Sequence, residues 1–120
     1  MGKIQSFKDL IAWQKAFLLV KEIYRITGNM PVEERFGLMS QIRRSAVSIP
    51  SNIAEGYGRR RLKEYDRFLS IALGSLNELE TQLLLIHDLG YTSKQSTDEC
   101  LKMIEETGRL LGGLIKKLNS

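Results

Sequence analysis

The sequence offers little to build catalytic chemistry from. It has one cysteine, Cys100, and one histidine, His87. A lone cysteine cannot close an internal disulfide, so a disulfide scaffold is excluded and a cytoplasmic chain is expected. The two Glu-x-x-His pairs of a bundle di-metal centre need two histidines, so no metal site is expected. A Ser-His-Asp triad would have to use His87, which stands one residue from a core position near a helix end. Its neighbour Asp88 points about 100° away around a helix, so the two are not an oriented pair. Gly56-Tyr57-Gly58 is a fragment of a glycine-rich loop, but no strand precedes it and no third glycine follows. No apolar run approaches the roughly 20 residues that cross a bilayer. The opening MGKIQSFKDL lacks the layout of a signal peptide. No catalytic residue, cofactor or membrane segment is expected.

Two prolines are also few for 120 residues, and they leave long stretches free for helix. Hydrophobic residues make up 42% and charged residues 27%, the proportions of a globular chain, and the length fits one domain over residues 1–120.

Periodicity places four helices. The first is expected over residues 7–27, with Ser6 and Asp9 at capping-box spacing and Gly28 as a stop. Leu10, Trp13, Phe17, Val20 and Tyr24 alternate spacings of three and four and read as its seam. Further apolar residues leave only a narrow polar stripe, so this helix should be covered on more than one side. The second helix is expected to begin within residues 31–34 and to end near Tyr57, with Met39, Ile42, Ala46, Ile49 and Ile53 inward. Pro50 falls inside it and predicts a kink; Gly56 and Gly58 read as its stop. In the third, Leu62, Tyr65, Leu69, Ala72, Leu76, Leu79, Leu83 and Ile86 repeat three-four without a fault, up to a stop at Gly90. The fourth should be capped by Ser96 or Thr97 and carry Leu101, Ile104, Gly108, Leu111, Ile115 and Leu118 on one face. Cys100 lies on a second apolar stripe and reads as a core or interface residue.

Helices of about 20 to 28 residues joined by short turns make an all-α, antiparallel up-and-down four-helix bundle with a kinked second helix. Gly74, Gly108, Gly112 and Gly113 fall inside helices, where each costs up to about 1 kcal/mol unless helices approach closely. A final helix that frays after Leu111 is the alternative for the Gly112-Gly113 pair. The breadth of apolar surface on the first and fourth helices points to an oligomer.

Charge has a location. The formal net charge is +4, and residues 41–67 hold Arg43, Arg44, Arg59, Arg60, Arg61, Lys63 and Arg67 against Glu55, Glu64 and Asp66. Of 18 basic and 14 acidic residues, eleven of each remain elsewhere, so the rest of the chain is neutral. A localised excess suits an anionic partner. Arg59, Arg60 and Arg61 stand before the third helix, where cations oppose the helix dipole but free backbone N–H groups favour phosphate. The seven cations are therefore candidate contacts to an RNA or DNA backbone, with no base readout evident. The alternatives are a solvated turn paired with nearby acids, and an internal network in which Arg44, Ser48, Ser51 and Glu55 share one helix face.

The stretches RFGLMSQIRRSAVSIPSNIAEGYGR and EYDRFLSIALGSLNELETQLLL, with FKDLIAWQKAFLLV before them, closely resemble the bacterial four helix bundle protein family. Its first members were found encoded in intervening sequences of large-subunit ribosomal RNA genes. The resemblance covers about residues 6–118. It implies a four-helix bundle assembled as a homopentamer. A related group, the accessory variability determinant proteins of diversity-generating retroelements, forms basic pentameric barrels that bind nucleic acid and a reverse transcriptase. Where the family often has serine or threonine as a cap, this chain has Arg61, which forgoes about 1 kcal/mol of capping. The expected function is a non-enzymatic homo-oligomer that binds nucleic acid through the basic surface. The alternative is a protein-interaction scaffold that touches no nucleic acid.

Overall fold

Four helices occupy most of residues 3–120, the part of the chain that the computed structural model describes. They are α1 (Ile11–Thr27), α2 (Leu38–Tyr57), α3 (Leu62–Asp88) and α4 (Lys94–Leu118), and no strand occurs among the described residues. Each helix packs on two others, in the cycle α1–α2–α3–α4–α1. Cross-helix pairs fix the directions. Arg43 near the start of α2 reaches Thr27 at the end of α1. Ser45 bonds Gln82, and Ser48 bonds Ser75. Asn119 reaches back to Asp66, and Lys15 to Glu106. Each neighbour therefore runs opposite to the last, which is the antiparallel bundle expected.

The α3 seam is as the spacing predicts from Leu69 onward. Leu69, Ala72, Leu76, Leu79, Leu83 and Ile86 are buried, whereas Leu62 is exposed at the helix start. In α2 the buried stripe is Ile42, Ala46, Ile49, Pro50 and Ile53, with Met39 at its edge. The helix runs through Pro50 without interruption. In α4, Ile104 and Leu111 are buried with Cys100, Thr97 and Thr107, while Leu101, Ile115 and Leu118 lie at the core's edge.

The seam of α1 differs from expectation. The buried residues are Ala12, Ala16, Leu19, Ile23 and Ile26; Trp13 and Val20 are half-buried, and Phe17 and Tyr24 are exposed. A helix that is apolar almost all round offers several three-four registers. Small Ala12 and Ala16 let the neighbouring helices come close, which selects theirs. Trp13 instead lies in an aromatic cluster, edge-on to Phe7 at 5.3 Å and stacked on Phe17 at 5.0 Å between ring centroids.

Three helix starts also move. The Ser6–Asp9 pairing forms, with Asp9 Oδ2 accepting from Ser6 N at 3.1 Å and Ser6 Oγ accepting from Lys8 N at 3.0 Å. It closes only a 3-10 turn at Phe7–Asp9, because Leu10 is extended, and α1 begins after it. Residues Val32–Glu34 likewise form a separate 3-10 turn. Glu34 then reaches forward, its Oε1 accepting from Leu38 N at 3.2 Å, so it does the work of a cap for α2. Ser93 rather than Ser96 or Thr97 caps α4, accepting from Ser96 N at 3.1 Å. Thr97 is turned inward and donates to Ser93 O at 2.7 Å.

Gly90 has φ +82°, and the bonds Tyr91 N to Ile86 O and Gly90 N to His87 O close a Schellman stop. Gly56 is not a stop: it lies within α2, buried against α3, and Gly58 is the C-cap. Gly108 sits 3.3 Å, by its missing Cβ, from Leu76 Cδ2, a close approach as expected. Nothing lies within 4 Å of the corresponding point on Gly74, Gly112 or Gly113, so packing within the chain does not account for them. The last helix continues through the Gly112-Gly113 pair to Leu118 and does not fray at Leu111.

Candidate nucleic-acid interface

The seven candidate cations do not form one patch. Arg43 and Arg44 stand in the first two turns of α2, and the rest of that helix separates them from the cluster at the α2–α3 turn. At 1.5 Å per residue, Arg44 and Arg59 are about 22 Å apart along the axis.

Arg43 is committed to the fold. Its Nε donates to Thr27 Oγ1 at 2.9 Å and its Nη2 to Tyr24 O at 3.3 Å, while its guanidinium lies 4.4 Å from the Tyr24 ring centroid. Thr27 is fully buried and donates to Ile23 O, so its hydroxyl is satisfied on both sides. A cation that closes the last carbonyls of α1 is favoured by the helix dipole as well. Arg44 is exposed and makes no ion pair among the described residues. The network from Arg44 to Glu55 does not form, because Glu55 pairs with Arg59 at 2.7 Å. Ser48 bonds Ser75 and Asn52 instead.

At the other end, Arg59 is held three ways: by Glu55, by Glu64 at 3.7 Å, and over the Phe68 ring at 5.0 Å. Arg60, Arg61 and Lys63 are exposed, and among the described residues no carboxylate stands within 4 Å of them. Arg67 rests 5.9 Å from the Phe68 centroid and is likewise without an ion pair. Asp66, the nearest acid in sequence to Arg67, accepts from Asn119 Nδ2 at the end of α4. Arg61 occupies the N-cap position of α3 with extended backbone, φ −107° and ψ 129°, and no side chain accepts from the first amides. Free N–H groups and three unpaired cations thus meet at one corner.

The remaining reactive groups are absorbed by packing. His87 Nδ1 lies 3.2 Å from Thr97 Oγ1 and 3.4 Å from Thr92 O. Through these contacts the histidine ties the α3–α4 turn to α4. Cys100 is fully buried, and burial, reinforced by the negative charge of Glu22, pushes its thiol up to about 12. Such a thiol is inert rather than nucleophilic.

Sequence reasoning missed two residues. Arg35 and Phe36 lie before α2, outside the 41–67 window, and share a groove of about 610 Å³ with Tyr24, Ser40, Arg43 and Arg44. Nothing in the sequence marked Phe36, which stands three residues before Met39 as a seam residue would; the structure leaves it 91% exposed.

A family model described as "23S rRNA-intervening sequence protein" matches residues 8–113. Among solved structures, the chain is similar to a protein of unknown function from the S23 ribosomal protein family of Bacteroides thetaiotaomicron. The two are 27% identical, with a TM-score of 0.83, over 91% of this chain and 98% of that one. No curated protein matches.

Proposed function

This chain belongs to the 23S rRNA-intervening sequence protein family, and from that premise we propose that it is a non-enzymatic, homo-oligomeric, cytoplasmic protein that binds the phosphate backbone of nucleic acid. One observation carries the reading: Arg60, Arg61 and Lys63 stand, among the described residues, without carboxylate partners at the uncapped start of α3. Cations placed against a helix dipole lower stability unless an anion relieves them. Arg67 extends the same positive field and Arg44 adds a separate charge near the start of α2, whereas Arg43 and Arg59 belong to the fold.

Exposed apolar side chains support self-association. Ile11 is 57% and Leu89 50% exposed, and Phe17, Leu18, Leu84 and Leu85 are also open. Apolar surface of this extent marks an interaction site, and further copies of the chain are the occupant we propose. A pentamer of a +4 chain would carry about +20, so weak contacts repeat around one assembly.

The test is a gel-shift series with single-stranded RNA, duplex RNA and DNA at two salt concentrations. Binding should fall steeply with salt. Replacing Arg60, Arg61 and Lys63 together with alanine should weaken it and flatten the salt slope without unfolding the bundle. Unchanged affinity in that variant sinks the assignment.

A second reading, a protein-interaction scaffold, has its own observation: an apolar groove of about 390 Å³ between α1 and α2, walled by Trp13, Phe17, Val20, Val47, Pro50 and Ala54. Purification from cells after nuclease treatment separates the two. A stoichiometric protein partner with no bound nucleic acid favours the scaffold.

A further inference from the structure

We infer that the groove at the α1–α2 corner holds one nucleotide of a single strand, its base against Phe36 and its phosphate between Arg35 and Arg44. This rests on the nucleic-acid reading above but adds a different contact, at the opposite end of α2 from the Arg60–Lys63 corner.

Three guanidinium groups, Arg35, Arg43 and Arg44, line the groove, and no carboxylate does. Arg43 is spent on Thr27 and Tyr24, so it contributes a fixed positive charge. Arg35 and Arg44 are exposed and carry no ion pair among the described residues, which leaves both planar forks free for phosphate oxygens. The Ser40 hydroxyl adds a donor, and the volume, about 610 Å³, suits a nucleotide. An adjoining groove shares Phe36, Ser40 and Arg44 but has Glu78 on its far wall, which keeps an anion on the Arg35 side.

Phe36 supplies the second chemistry. It is the most exposed large hydrophobic among the described residues, at 91%, yet its loop is pinned. Glu34 accepts from Leu38 N through Oε1 and from the Tyr91 hydroxyl through Oε2. Gly37 N donates to Glu34 O, and Arg35 N to Val32 O. A ring presented to water by a braced loop is preorganised for a flat ligand. Arginines alone would fit sulfate or an acidic peptide equally well. Arginines beside an open ring fit a phosphate joined to a base. The bases of a duplex are stacked on each other and cannot offer a face, so the strand must be single.

The experiment compares Phe36→Leu and Phe36→Tyr with the wild type on single-stranded and duplex RNA of one length, with the molar mass of each protein measured by light scattering. Leucine keeps the apolar bulk and removes the stacking face. Phe36→Leu should weaken single-strand binding about tenfold and leave duplex binding within about twofold, and Phe36→Tyr should restore it. Arg35→Ala with Arg44→Ala should lower the salt slope by about two. Adenosine monophosphate alone should bind far more weakly than the strand; equal affinity would make this a free-nucleotide pocket and overturn the proposal. Equal loss on both RNAs, or no loss, overturns it too. A change in molar mass with Phe36→Leu overturns it in favour of a second copy seated on the ring. If Arg60, Arg61 and Lys63 prove necessary and Phe36 does not, only this inference falls. If the folded wild type binds no oligonucleotide, the proposed function falls with it.

Discussion

A Cβ added to Gly56 would stand 2.7 Å from the Cβ of Phe68. Here α2 and α3 pack closely, with Tyr65 also at hand: its Cδ1 at 3.1 Å and its carbonyl at 3.3 Å from the same position. Neither a β-carbon nor a backbone carbonyl can swing aside. Gly56→Ala should therefore destabilise the bundle by about 2 kcal/mol, as overpacking does. Gly74→Ala meets no atom within 4 Å and should stabilise the isolated chain by up to about 1 kcal/mol through helix propensity. Urea midpoints of the two variants check both signs. If Gly74→Ala is instead destabilising and lowers the molar mass, the empty space belongs to a neighbouring copy.

Arg43 and Arg44 are adjacent in sequence and opposite in role. Arg43→Ala removes two hydrogen bonds and a cation–π contact that join α2 to the end of α1. It also strips the buried Thr27 hydroxyl of a donor. A loss of about 2 kcal/mol is expected. Arg44→Ala touches no partner in the fold and should stay within about 0.5 kcal/mol of wild type, while it weakens nucleic-acid binding. Paired melts and gel shifts read the contrast; equal melting losses would mean that Arg44 has a structural partner in the assembled state.

These two arginines also show how far the sequence carries. The three-four repeat from Leu69 to Ile86 identifies its own buried face, because it runs unbroken along α3 while the exposed Ile71, Leu84 and Leu85 form no repeat of that length. The same rule misplaces the seam of α1, because that helix is apolar on nearly every side and the register is settled by which neighbours pack on it. Local spacing proposed a capping box at Ser6 and Asp9 and was right about the bonds. What followed it was decided by the extended Leu10, which no spacing rule encodes. The arginine window found the basic residues but not their division. Whether a guanidinium is free depends on a carbonyl from another helix, as at Arg43, or on an acid one turn earlier, as at Arg59. Phe36 was passed over because the expected second helix included it, whereas α2 begins only at Leu38 and exposure is a property of the fold.

Cys100 gives a prediction with a definite sign. Its folded-state pKa, about 12, lies above that of the unfolded thiol because the charged form is desolvated. A raised pKa of this kind leaves stability intact below the unfolded value and erodes it as pH climbs from there toward the folded value. Wild type should thus lose more stability than Cys100→Ala between about pH 9 and pH 12, beyond the common loss from other groups. Parallel stability curves for the two proteins across that range would refute the shift. The folded thiol should also resist alkylation at neutral pH, reacting only as fast as the chain opens.

Arg61 is where stability and function oppose each other most directly. Its backbone is already extended, as an N-cap requires, but its side chain offers α3 no acceptor. Arg61→Ser would supply that acceptor without moving the chain. It should raise stability by about 1 kcal/mol, from the cap and from removal of a cation at the positive end of the helix dipole. If Arg61 meets phosphate, the same change should weaken nucleic-acid binding and lower its salt slope by about one. A solvated turn with no ligand would give the first effect and not the second. Arg59→Ala is the matching control, because Arg59 is paired with Glu55 and Glu64 and lies over Phe68. Its removal should cost some stability and change the salt slope least of the three arginines. An arginine held by two carboxylates has little charge left to offer a phosphate, so a larger effect at Arg59 than at Arg61 would place the binding surface elsewhere.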